Sequence, residues 1–171
     1  MKNLLLFALG CTLLFSSCKK EDDPFLNNQA PICPTGFTGP TCNVELEPKK
    51  ITIQGVRVIL FRSHDDNGWP WDFGSDADIY LTITGNGNFL LETSVKSNAS
   101  STANHHWSCS IPIYDPEEFM GFTLFDFDSG SNDDLIGSLF SKLYSEGQGF
   151  PSVLKFNNSS MRVELDVTYE F

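Results

Sequence analysis

The stretch Asp126-Phe127-Asp128-Ser129-Gly130-Ser131-Asn132-Asp133-Asp134, running on into Leu135-Ile136-Gly137, sets four carboxylates within nine residues. Before it, Phe122-Thr123-Leu124-Phe125 is rich in β-formers, and Leu135 to Leu143 after it reads the same way. The acidic residues therefore lie on a turn between two strands. Asp126 and Asp128 leave the same face of an extended segment, because side chains alternate along a strand. Gly130 lets the chain reverse and can bring Asp134 back beside them. At about 4 Å and an effective dielectric near 20, each like-charge pair costs roughly 4 kcal/mol. A hard cation filling the loop removes that cost, and calcium, with its all-oxygen shell, suits such a donor set. The competing reading is a solvated acidic turn.

Working outward, a second acidic loop runs from His64 to Asp78, His-Asp-Asp-Asn-Gly-Trp-Pro-Trp-Asp-Phe-Gly-Ser-Asp-Ala-Asp, with five more carboxylates. The two loops hold nine of the 22 acidic residues. If both lie at one end of a small domain they form a cation cup, which solvated turns explain less well. Around them the chain alternates. Ile51-Thr52-Ile53 and Val56 to Arg62 read as one strand, or two with a bulge at Gly55. Asp78 to Thr84 is the next, and Gly85-Asn86-Gly87-Asn88 is a hairpin turn into Phe89–Lys96. A polar Ser/Asn/Thr loop follows, then strands near Trp107–Ile113, Phe122–Phe127, Leu135–Leu143 and Val153–Phe156. Met161 to Phe171 closes the chain with an apolar residue at every odd position. No segment has a helical period. Short strands separated by turn signals predict an all-β fold, an antiparallel eight-stranded β-sandwich.

The first residues read as a leader. Lys2 precedes an apolar run from Leu4 to Phe15, and Phe15-Ser16-Ser17-Cys18 follows. The run is too short to span a bilayer. This order resembles a bacterial lipoprotein signal peptide over 1–17, which implies lipidation at Cys18 and a lipid-anchored protein of the outer membrane, at the cell surface or on the periplasmic face. Acidic residues soon after the cysteine resemble a surface-export signal. Residues 18–31 have the composition of a flexible tether.

Of the other cysteines, Cys33-Pro-Thr-Gly-Phe-Thr-Gly-Pro-Thr-Cys42 resembles the last subloop of an EGF-like module, over 32–43. An oxidising compartment permits a Cys33–Cys42 disulfide and hence a short stapled spacer. Cys109 falls on the apolar parity of its strand and reads as a buried small hydrophobe.

Residues 44–171 resemble a C2 domain. Asp72 and Asp78 lie six apart, the second opening a strand at Asp78-Ile79-Tyr80-Leu81, as in that family's first calcium loop. Asp126, Asp128 and Asp134-Leu135-Ile136-Gly137 match its third. The resemblance implies a metal site of Asp72, Asp78, Asp126, Asp128 and Asp134, with calcium as cofactor. Asp65, Asp66, Asp76 and Asp133 stand near enough to replace one of these. The first loop is longer than usual, the proline after its second aspartate is missing, and the strand that opens some C2 domains is not evident. Calcium in such domains bridges to lipid phosphates while apolar loop tips enter the bilayer. Trp69, Trp71 and Phe73 are candidates for those tips, or for sugar stacking, with inward packing of Trp71 or Phe73 as the alternative.

Formal net charge is −11, and −12 once Lys2 leaves with the leader. Such a chain repels nucleic acid and anionic membranes unless a cation intervenes. No Gly-x-Ser-x-Gly elbow or phosphate loop occurs. His105-His106 with Cys109 lacks a fourth zinc ligand, and the carboxylates cluster too tightly to divide into an acid and a base. The expectation is therefore not an enzyme. It is a calcium-dependent module that attaches to phospholipid, lipopolysaccharide or glycan. The alternative is a structural or adhesion sandwich in which calcium only stiffens the loops and a protein is the ligand.

Overall fold

The computed structural model describes residues 31–171. The leader, Cys18 and all of the tether before Pro31 lie outside the described residues. Eleven strands follow one another: β1 Phe37–Thr38, β2 Val44–Glu45, β3 Lys50–Phe61, β4 Ala77–Gly85, β5 Asn88–Glu92, β6 Lys96–Ala99, β7 His105–Ile113, β8 Phe119–Asp126, β9 Asp134–Lys142, β10 Val153–Asn157 and β11 Met161–Glu170. The described residues contain no helix.

Two antiparallel sheets form the sandwich. One has the order β10-β11-β3-β7; the other has β5-β4-β8-β9, with β6 also paired to β4. The expected strand from Phe89 to Lys96 is divided into β5 and β6, which share one edge of β4. Thr93 sits in the break and explains it. Its buried hydroxyl accepts the Leu81 N–H at 2.9 Å, so a side chain takes a bond the ladder would have made. With β5 and β6 counted as one edge, the sandwich has the eight strand positions expected of it. The bulge foreseen at Gly55 is present as a register shift between Ile53 and Gly55 against β7, within one continuous strand. The hairpin after Gly85 turns on Asn86 and Gly87, both at positive φ (45° and 80°), which matches the right-handed twist of the flanking strands.

Alternation decides what is buried. Ile51, Ile53, Val56 and Val58 face Ile79, Leu81, Ile83, Phe122 and Leu124 across the sandwich, all with no exposure. Each such side chain contributes about 1.5–3 kcal/mol on burial. Cys109 is a free thiol packed on this core, its Sγ 3.7 Å from the Ile53 carbonyl, and burial pushes its pKa up.

Strand direction sorts the connections between two poles. Residues 62–76, 100–104, 127–133 and 158–160 lie at one pole, and 86–87, 114–118 and 143–152 at the other. The Cys33–Cys42 disulfide is formed. The stapled segment does more than space: it is packed on the second pole. Phe37 meets Phe150 edge-on at 5.3 Å, and Glu45 accepts the Gly147 and Gly149 N–H groups at 2.9 Å each. The stapled segment thus sits at one pole of the sandwich and the acidic loops at the other.

Candidate cation site at the acidic pole

Met120, Phe122 and Leu124 are the inward-facing residues of β8, and Asp126 is the next in the same series. A carboxylate therefore occupies a position that alternation would make apolar, at the mouth of the sandwich with 0 % exposure. Its Oδ1 accepts the Asp78 N–H at 2.7 Å. Its Oδ2 is buried with no hydrogen-bond partner. Burial pushes the Asp126 pKa up to about 6; the Asp78 N–H opposes this, while the charges of Asp72, Asp128 and Asp78 reinforce it. Both acidic loops are therefore close enough to act on one carboxyl group. The Phe127 N–H donates to the Asp78 carbonyl at 2.7 Å and ties the two loops at their roots.

The five aspartates predicted as ligands are placed unequally. Asp72, Asp78 and Asp128 surround Asp126 electrostatically. One Asp78 carboxylate oxygen accepts the Asn98 N–H at 2.8 Å. Asp134 stands opposite Asp126 in the β8–β9 ladder with its side chain exposed. Among the described residues, no group of three or more His, Cys, Asp or Glu side chains is placed to hold a metal ion. The neighbouring acids are otherwise engaged. Asp133 accepts the Tyr80 hydroxyl at 2.6 Å and the Asp128 N–H at 3.0 Å, so it braces the 127–133 loop. These bonds hold its pKa below the usual carboxylate value, and burial together with the Asp133 bond raises that of Tyr80 to about 12. Asp65 caps its own turn by accepting the Asn67 and Trp69 N–H groups, and Asp66 pairs with Arg62.

Loop 62–76 is held at its base by Arg62. Its backbone N–H donates to the Ser160 carbonyl at 3.0 Å, and its guanidinium donates to the Ile136 carbonyl at 2.8 Å. The Trp71 indole N–H donates back to the Arg62 carbonyl at 2.6 Å, and the ring packs on the core. Trp71 thus supports the loop, as in the inward-packing alternative of the sequence reading. Trp69 (63 % exposed) and Phe73 (95 %) do stand out from the pole. The alternation of β4 foretells an inward Ile79 and Leu81, but nothing periodic in a loop could tell Trp69 from Trp71.

The donor set suits a hard cation. It is oxygen alone, one buried carboxylate oxygen is orphaned, and unpaired buried acceptors of this kind cost about 1–3 kcal/mol. The His105–His106 pair offers no rival site. His105 Nε2 lies 2.8 Å from the Ser100 carbonyl, and His106 faces Asp166 at 4.0 Å on the outer surface of the other sheet.

No protein-family model matches the sequence, and no characterised protein matches it. Solved structures do. A structure described as a C2 domain superposes with a TM-score of 0.51 at 17 % identity, covering 71 % of this chain and 98 % of that one. A C2 domain of plant extended synaptotagmin 1 gives 0.46 at 16 % identity, covering 73 % and 97 %. Human GIVD cytosolic phospholipase A2 gives 0.49 at 16 %, and the match spans only 17 % of that larger chain. The fold is that of a C2 domain.

Proposed function

We infer that this chain is a calcium-dependent binding module, not an enzyme, with the acidic pole as its working end. The observation that carries the inference is Asp126, a fully buried carboxylate with an orphaned oxygen, within electrostatic reach of the carboxylates of a second loop. Asp72, Asp78, Asp126, Asp128 and Asp134 would hold the ion. Bound there, calcium neutralises the pole and offers its remaining coordination positions to an oxygen of the ligand. The chain's own residues do the rest. Asp133 and Tyr80 fix one loop, Arg62 and Trp71 fix the other, and Trp69 and Phe73 present apolar surface beside the acids. Surface of that kind fits phospholipid, lipopolysaccharide or glycan.

We further place the protein at the outer membrane, anchored through a lipid on Cys18. Calcium titration by calorimetry tests the module, followed by liposome and glycan binding with and without chelator. Heat of binding that vanishes in Asp126→Asn/Asp128→Asn, together with chelator-sensitive attachment, is the expected result. Calcium binding without attachment to any lipid or glycan would favour the adhesion reading, with a protein as ligand. An absence of calcium binding would sink both.

A further inference from the structure

Loop 62–76 is long, and its extra residues build something. Asp65 closes a small turn on itself, with the Asp65 N–H donating to the Trp69 carbonyl at 2.8 Å, and His64 bridges to Pro70. The loop then returns through Trp71, held to the Arg62 carbonyl. Between this returning limb and the 100–104 loop lies a cavity of ≈ 200 Å³. Its floor is the buried apolar surface of Phe61 and Ala77, and Trp71 and Pro70 form a wall. Its rim is polar: Ser75, Asp76 and Ser101, joined by Ser63 and His64, whose side chains bond each other at 2.8 Å. Loops of this length with no strand of their own are uncommon unless they serve a binding role. An apolar floor under a few convergent polar groups is the usual anatomy of a small-molecule site.

The lining limits the ligand. The cavity opens beside Asp76 in the most acidic loop of a chain with net charge −11, which disfavours phosphate and carboxylate. Aromatic and alkyl surface on one side and short hydroxyl and carboxylate groups on the other match a molecule that is itself two-faced. A neutral sugar ring, with a C–H face and a hydroxyl edge, is such a molecule. We propose that this cavity seats one neutral sugar ring of a surface glycan, stacked against the Trp71 wall and hydrogen-bonded at its edge by Asp76, Ser75 and Ser101. It rests on the binding-module reading only for the claim that this ring belongs to the module's target.

The test is saturation-transfer NMR on the full chain with calcium. The probes are methyl glycosides of glucose, galactose, mannose and N-acetylglucosamine, with tetramethylammonium as the cationic control. Transfer to the ring C–H protons of at least one glycoside is expected. Ser75→Leu and Ser101→Leu, which fill the cavity from its rim, should abolish it, and Asp76→Asn should weaken binding at least tenfold. Trp71→Ala is a poor choice because it also releases the loop. The rise in Tm on adding calcium is read in every variant and should not change in the two leucine variants. No transfer from any glycoside while the calcium response persists would overturn the sugar site and leave the calcium reading standing. Transfer that survives both leucine substitutions, or that comes from tetramethylammonium alone, would overturn it as well. Sugar transfer in a chain with no calcium response would support the cavity and remove the calcium reading.

Discussion

Replacing Asp126 with Asn isolates the buried charge on which the acidic pole turns. The amide keeps an oxygen for the Asp78 N–H and removes the negative charge. In the folded chain the Asp126 carboxyl titrates at about 6, against 3.8 for the ordinary group. A folded pKa raised above the unfolded one means that the folded state binds the extra proton. Its stability contribution is therefore intact below about pH 4 and is lost as pH rises through about 6. At 1.36 kcal/mol per pH unit, the loss is on the order of 3 kcal/mol at neutral pH without a cation. Asp126→Asn should escape it. In chelator the variant and the parent should unfold alike near pH 4, and the variant should become the more stable by roughly 10 °C in Tm near pH 7. Calcium should close the gap. At a hundredfold excess over Kd it adds about 2.7 kcal/mol to the parent and nothing to the variant. Below about pH 6 the proton competes with the ion at Asp126, so calcium affinity should fall there and binding should release a proton. Urea denaturation of both proteins across this pH range, with calcium and with chelator, measures all three effects. Curves that stay parallel between about pH 4 and about pH 7 in chelator would refute the reasoning, because Asp126 would then ionise as freely inside the fold as outside it.

Reducing the staple, or making Cys33→Ser with Cys42→Ser, should cost about 2–3 kcal/mol by chemical denaturation, the chain-entropy value for so short a loop. Trp69→Ala and Phe73→Ala should leave stability within about 0.5 kcal/mol while cutting attachment in liposome or glycan pull-downs. Trp71→Ala should lose about 3 kcal/mol, because its ring packs on the core and its N–H holds Arg62. Tyr80→Phe should cost about 1.5–3 kcal/mol, the value of a hydrogen bond to a charged group, and weaken calcium affinity by loosening the 127–133 loop; calorimetry with thermal unfolding checks both. Palmitate labelling should mark the protein, and Cys18→Ser should remove the label.

Much of this molecule could be read from parity. Every odd residue from Met161 to Tyr169 is apolar, and that strand has the expected face inward. The same rule, counted back along Met120, Phe122 and Leu124, puts Asp126 inside, so the unusual carboxylate was visible in the sequence together with the Asp-x-Asp spacing. Parity fails where a side chain substitutes for backbone, as Thr93 does in splitting β5 from β6. It fails again in loops, where Trp71 turns under and Trp69 out because of a bond to Arg62 that no local pattern encodes. Asp133 looked interchangeable with its neighbours; only the approach of Tyr80 from another strand makes it a brace. The docking of Phe37 on Phe150 joins residues more than a hundred positions apart, and spacing within the stapled segment carries no trace of it.

The placement of the staple and the acidic loops at opposite poles also has a mechanical side. Strand β3 runs from Lys50, just after the stapled segment, to Phe61, where loop 62–76 begins. At about 3.3 Å per residue its 12 residues span roughly 40 Å, a fixed stand-off between whatever lies upstream and whatever the first acidic loop holds. Tension applied from upstream of residue 31 against a ligand on that loop passes along a single covalent strand, without crossing any ladder of hydrogen bonds. The third-loop aspartates are different: the short route from them to β3 runs through hydrogen bonds, Phe127 N–H to the Asp78 carbonyl and Arg62 to the Ile136 carbonyl among them. Under load the two halves of the cup would be pulled unequally, so the 127–133 loop would yield first while the 62–76 loop kept its grip.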